Sequence, residues 1–201
     1  MFHVFIYMGS ILEIINEEIE NHNFNQLIGS DEFKNWFGDW ENDPENSSKV
    51  VDVDGKPLVV YHATNNNFNQ FRPSTMLNNG SVKYKGIDIP DSEWNDFISS
   101  HDLEQQDEFW FSTKPWGNDD NDIILPVFLN IRNLEIGDAG DVGGYGTYHN
   151  YISTYDSSDG LVIHNADNSG MDYYITTTPE NIKIANGKNK IFSPTNTDIY
   201  K

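Results

Sequence analysis

Few side chains in this sequence combine proton chemistry with a place where a chain would expose them. His62 follows the apolar run LVVY and precedes the polar loop ATNNN, so it stands where a strand runs out. Functional side chains are often held at such points, on loops anchored by a rigid scaffold. An imidazole there can accept or donate a proton near neutral pH, although a lone strand-end histidine more often serves structure. Asp172, Glu180 and several Tyr and Thr residues cluster toward the end of the chain and could supply a carboxylate and hydroxyls. The segment EFWFS at 108–112 puts aromatic rings on both faces of a short strand. His101, His149 and His164 are scattered without metal-ligand spacing, and read as structural or solvated. With no cysteine, disulfides, thiolate metal sites and cysteine nucleophiles are excluded together. No metal is expected.

The elements that position these residues follow from periodicity. Ser10 and Glu13 form a capping box before Ile11, Ile15 and Ile19, which gives an amphipathic helix of about three turns. Ser30 caps a second helix with Asp31 and Glu32 in its first turn, and Asp43-Pro44 stops it. Phe33, Trp36, Phe37 and Trp40 then form one aromatic stripe, read as core. Residues 49–62 read as a hairpin turned at Asp54-Gly55, with its second strand from Leu58 to Tyr61 and Phe68 and Phe71 as anchors beyond it. Residues 72–107 read as loop with a short helix around 92–99. Strands follow at 108–112, 123–131, 160–164, 172–177 and 181–185, and Pro126 implies an edge or a bulge in the second of these. The Gly-rich stretch 137–150 lacks the strand-then-helix setting of a phosphate loop and reads as flexible. Many short strands and few helices predict an α+β or mostly β domain.

The formal net charge is −20 over 201 residues, and no Lys/Arg cluster interrupts it. Such a surface repels phosphate backbones and anionic membranes, which argues against nucleic-acid and membrane partners. The opening stretch MFHVFIYMGSILEII has no basic region or cleavage site and is too short and interrupted to span a bilayer. A cytoplasmic location is expected.

Read as blocks, FKNWFGDWENDPENSSKVVDVDGKPLVVYHAT, EFWFS, PVFLNIRNL, DGLVIHN and YYITTTPENIKIAN run in order through residues 32–186. Together they resemble the ADP-ribosyltransferase domain of phage polyvalent proteins and related bacterial toxins. That family has a helix like DEFKNWFGDW, a hairpin ending in Y-H-G-T, and strands like G-I-Y-F-S and P-V-F-L-N-I-K-N-P. It belongs with the poly(ADP-ribose) polymerases and diphtheria-type toxins. The resemblance implies an α+β fold of two packed, mainly antiparallel sheets forming an NAD cleft. Residues 31–201 would form it, with 1–30 as a helical extension.

The group's site is a His–Tyr–Glu triad on three strands. By the resemblance, His62 would bond the ribose, Ala63 would offer backbone bonds to the carboxamide, and Thr64 would lie close by. Trp110 stands where the family has the Tyr that stacks on nicotinamide, with Phe111 and Ser112 completing that strand. The acid has three candidates: Asp172, Glu180 and Asn181. Departures from the pattern are Trp110 for Tyr, which loses a hydroxyl, and Ala63 for Gly, which restricts the backbone. The implied activity is transfer of ADP-ribose from NAD to a macromolecular acceptor, a protein, with release of nicotinamide. An NAD glycohydrolase and an inactive binding module are the alternatives.

Overall fold

The computed structural model describes residues 23–65, 67–71, 81–84, 87–90, 93, 108–117, 122–138, 159–165, 170–186, 189 and 191–201. The expected helix at Ile11, Ile15 and Ile19 lies outside the described residues, as does the 92–99 helix apart from helical Glu93.

Residues 23–28 are helical and form α1. Ser30 Oγ then accepts the Phe33 N–H at 3.2 Å and starts α2, Asp31–Phe37. A serine oxygen at this position satisfies a donor that the helix itself cannot. Helix α2 is shorter than its sequence pattern. Gly38 ends it at φ 106°, donating its N–H to the Lys34 carbonyl, so Trp40 sits in a turn beyond the helix. A Cβ on Gly38 would lie 2.4 Å from Ser47 Cα, so the chain can reverse and pack there only with glycine. Phe33, Trp36 and Phe37 are fully buried. With Ile28, Phe128 and Phe192 they form one of two cores, with Trp40 packed at its margin.

The hairpin turn forms as expected: Gly55 takes φ 79°, and Val51 bridges Pro57. Its second arm runs further than expected, into β1, Val60–Thr64, so that His62 is the middle residue of a strand. Two strands inside the expected loop, β2 (Ser81–Tyr84) and β3 (Ile87–Pro90), pair as a separate antiparallel ribbon. Then come β4 (Phe109–Ser112), β5 (Ile123–Leu129), β6 (Leu134–Asp138), β7 (Gly160–His164), β8 (Tyr173–Thr176) and β9 (Ile182–Ile184). Strand β6 begins just before the stretch read as flexible loop.

Strand β1 and these last six make one mixed sheet in the order β6-β7-β8-β4-β1-β5-β9, antiparallel except for β6 with β7. The sheet is unevenly joined. Strand β1 shares five register pairs with β5, and β4 shares four with β8, but β1 and β4 share only Tyr61↔Ser112. A four-strand half and a three-strand half thus meet at a seam. The architecture is α+β, dominated by one seven-stranded sheet with few helices.

Pro126 sits in β5, which has neighbours on both sides, so it is not on an edge strand. Its carbonyl accepts the Ala185 N–H at 2.8 Å, one position past the last β5–β9 pair, Val127↔Ile184. Its missing N–H therefore falls where that ladder stops, which is how a proline is accommodated here.

Alternation places Val60, Phe109, Phe111, Val127, Val162, Tyr174, Ile182 and Ile184 on one face, in the second core with Phe71 and Ile199. Phe128 and Lys183 point to the opposite face, toward α2.

Candidate functional site

His62, Ala63 and Thr64 on β1 and Trp110, Phe111 and Ser112 on β4 border the seam. Proline's carbonyl in β5 faces β9, so Tyr61↔Pro126 is a pair whose backbone groups do not bond each other. The Tyr61 N–H and C=O therefore face β4, consistent with Ser112 Oγ lying 3.4 Å from the Tyr61 oxygen. Polar groups along a strand repeat direction at every second residue. Ala63, paired with Ile124 on the same pattern, thus aims its own N–H and C=O toward β4, beyond the last β1–β4 pair. One donor and one acceptor from the same residue face the opening seam.

His62 bridges that seam. Its Nδ1–H donates to the Trp110 carbonyl at 2.9 Å, which fixes Nε2 as the nitrogen with the lone pair. Its ring lies among Phe71, Phe111 and Phe68, at centroid distances of 4.8, 5.6 and 6.2 Å. Burial among these rings pushes the imidazole below its usual value, and the bond to Trp110 opposes that only in part. A neutral ring with a directed acceptor is the result.

Trp110 joins His62 through its backbone, not its ring. It alternates with Phe111 along β4, so its indole leaves the other side of the strand and meets Tyr173 edge-on at 6.2 Å. Phe111 is buried core beneath His62. Ser112 is buried, with its hydroxyl donating to the Lys114 carbonyl at 2.7 Å. Thr64 ends β1, paired with Ile123.

The three acid candidates part company. Asn181 lies in a 3-10 turn, Pro179–Asn181, and its carbonyl accepts the Asn130 N–H at 2.9 Å. Leu125 is His62's partner, so Asn130 is five residues along β5, about 17 Å away at strand rise. Glu180 lies in the same turn, with its carbonyl accepting Trp36 Nε1 at 3.2 Å. Neither is brought to His62. Asp172 stands at the start of β8, beside the end of β4: its N–H donates to Thr113 Oγ1 and its carbonyl accepts the Thr113 N–H, both at 3.1 Å. Both its carboxylate oxygens are engaged. Oδ2 is 2.9 Å from His164 Nδ1, and Oδ1 accepts the Asn165 N–H at 2.9 Å.

Sequence reasoning missed His164, which it read as structural or solvated. The signal was present but needed the fold: His164 closes β7 and Asp172 precedes β8, and antiparallel pairing brings the two ends together. Among the described residues no group of three or more His, Cys, Asp or Glu could hold a metal ion, and no helix is long and apolar enough to cross a membrane. Comparisons with protein-family models, curated proteins and solved structures find no match to this chain.

Proposed function

We propose that the chain is an NAD-dependent ADP-ribosyltransferase whose nicotinamide subsite is the seam between β1 and β4. The observation that carries this is the pair of Ala63 backbone groups aimed into a seam bridged by His62. A carboxamide offers one acceptor and two donors on adjacent atoms. A backbone N–H and C=O from one residue match it, and the resemblance at Y-H-A-T assigns that task to the same position. His62, neutral and with Nε2 as acceptor, is suited to a ribose hydroxyl. Breaking the nicotinamide–ribose bond builds positive charge on the ribose, so holding the dinucleotide in line for the acceptor is the protein's main task.

The test is binding of NAD and release of nicotinamide by the whole chain. His62→Ala should weaken NAD affinity by about tenfold or more, the worth of a hydrogen bond to a buried partner. Calorimetric titration reads this directly, and equal affinity in the two proteins would remove the seam as the subsite.

A second reading has its own support. Asp172 is the one acid candidate near the seam, and both its oxygens are already bonded within the chain. A domain that binds NAD with no carboxylate at the ribose would be a binding module or a slow glycohydrolase. NAD binding without nicotinamide release from the wild-type chain selects that reading.

A further inference from the structure

The bond from His62 to Trp110 sits where the sheet would otherwise continue. In an unbroken antiparallel ladder, the hydrogen-bonded pair that follows Tyr61↔Ser112 is Ala63 with Trp110. There the Ala63 N–H would donate to the Trp110 carbonyl, and the Trp110 N–H to the Ala63 carbonyl. That pair is not formed. The Trp110 carbonyl accepts the His62 Nδ1–H at 2.9 Å instead, so a neighbouring side chain holds the acceptor that Ala63 would use. A carbonyl inside a sheet has to be partnered. The imidazole meets that need for β4, while the matching Ala63 groups stay on the β1 side and face the seam.

The imidazole is braced in this place. Phe71, Phe111 and Phe68 surround it, and Phe71 and Phe111 belong to the buried core. The segment that carries Phe71 is clamped in turn. Gln70 bridges Asp198, and the Asn69 carbonyl accepts the Ile199 N–H at 2.8 Å. The Ile199 carbonyl then accepts the Ile184 N–H of β9 at 2.9 Å. Rings tied to the sheet through the last residues of the chain thus press on His62 from behind. Walled by them and bonded at Nδ1, the imidazole is a fixed spacer between β1 and β4.

We infer that His62 is a positioning residue for Ala63: by occupying the Trp110 carbonyl it stops β1 and β4 from pairing one step further, and so keeps the Ala63 N–H and C=O open to a ligand. That the ligand is a carboxamide rests on the proposed function. Tyr61↔Ser112 already holds the two strands in register at the preceding pair, so closure needs no slip. Without the imidazole the strands gain the Ala63–Trp110 bonds, and the Trp110 carbonyl is satisfied from within the sheet. A ligand then has to displace a formed pair instead of entering an open one. This role runs through Nδ1 and Ala63, and is separate from what Nε2 offers a ribose hydroxyl.

The experiment compares the full wild-type chain with His62→Ala and His62→Asn. Asparagine carries its amide nitrogen as many bonds from Cα as Nδ1, so it can donate to Trp110, but it has nothing in the place of Nε2. Two quantities are read by nuclear magnetic resonance: hydrogen exchange at the Ala63 amide, and affinity for nicotinamide alone, which lacks the ribose that Nε2 would meet. In His62→Ala the Ala63 amide should exchange about tenfold more slowly than in wild type, and nicotinamide should bind about tenfold more weakly. His62→Asn should leave both within about twofold of wild type. His62→Val, which suits a strand and carries no donor, takes the place of His62→Ala if that variant fails to fold. An Ala63 amide that is no slower in His62→Ala overturns the inference, because the seam then stays open without the imidazole. Nicotinamide affinity lost equally in His62→Ala and His62→Asn, with Ala63 unchanged in the latter, also overturns it and leaves the proposed function standing. A wild-type chain that binds neither NAD nor nicotinamide removes the proposed function, while the exchange comparison still decides whether His62 holds the strands apart.

Discussion

His62 is the residue on which most of the reading turns, and its surroundings decide its charge. Burial among three phenyl rings keeps it neutral, against the weaker opposing pull of its bond to the Trp110 carbonyl. Because its folded pKa is lowered by burial, the stability linked to neutral His62 is fully present above its unfolded value of 6.5 and is lost as pH falls below it. NAD affinity should accordingly stay flat from pH 8 down to about 6.5. Titrations at several pH values would show this, and an affinity that rises as pH falls from 8 to 7 would mean that a charged His62 is the binding form. At the same scale, Gly38 combines φ 106° with a 2.4 Å approach to Ser47. Gly38→Ala should cost about 2–4 kcal/mol, since strain and collision add. Chemical denaturation measures it, and a change below about 0.5 kcal/mol would mean that the turn relaxes freely.

At the scale of elements, α2 matters through its buried face. Phe33 meets Phe37, Phe128 and Phe192 at 5.0, 5.0 and 5.1 Å, and Trp36 meets Phe192 at 5.6 Å while bonding the Glu180 carbonyl. Trp36→Ala should destabilise by about 3–5 kcal/mol, as large aromatic deletions do. The surviving folded protein should bind NAD as wild type does, because α2 packs at Phe128, away from the seam. A stable variant with weakened NAD affinity would reverse these roles. How much the sequence told depends on the kind of element. The strands at 109–112, 123–129, 160–164, 173–176 and 182–184 were legible because each is a short β-branched or aromatic run. Strand β6, LEIGD, was not, since its parallel pairing with β7 is settled by a distant segment. The overrun of α2 to Trp40 came from a stripe that ignores Gly38, whose neighbour Ser47 is visible only once the chain has folded back. His62 was legible as a strand residue before a polar loop, and its bond to Trp110 was not, because 48 residues separate them.

The whole molecule carries a charge of −20, yet one of its few cations is fully buried. Lys183 points from β9 toward α2, and its Nζ donates to the carbonyls of Asn196 and, at 2.9 Å, Asp198. Those bonds tie the last residues of the chain to the sheet. Burial lowers the lysine to about 8 from 10.5, while Tyr174, buried and near Asp172, is raised from 10.0 to about 12. Below pH 8 the folded state bears the cost of a buried ammonium, about 3 kcal/mol. As pH rises from 8 toward 10.5 the folded state sheds this proton before the unfolded state does, so stability rises. Above pH 10 the unfolded chain ionises Tyr174 first, and stability falls toward pH 12. Unfolding free energy against pH should therefore peak near pH 10, and Lys183→Met should lack the rising limb while keeping the falling one. A wild-type curve that is flat or falling between pH 8 and 10 would show that Lys183 is not held as a desolvated cation.

The single Tyr61↔Ser112 pair has a consequence for how the molecule comes apart. Each half of the sheet is laced internally by three to five pairs per neighbour, whereas the line between them is crossed by one backbone pair, the His62–Trp110 bond and a long Ser112 Oγ–Tyr61 contact. Cooperative opening units follow such lines of weakness. Native-state hydrogen exchange should then resolve two blocks of amides, one from β1, β5 and β9 and one from β4, β7 and β8, with different opening free energies. A ligand seated in the seam would be the missing rung between them, and its binding should merge the two blocks into one.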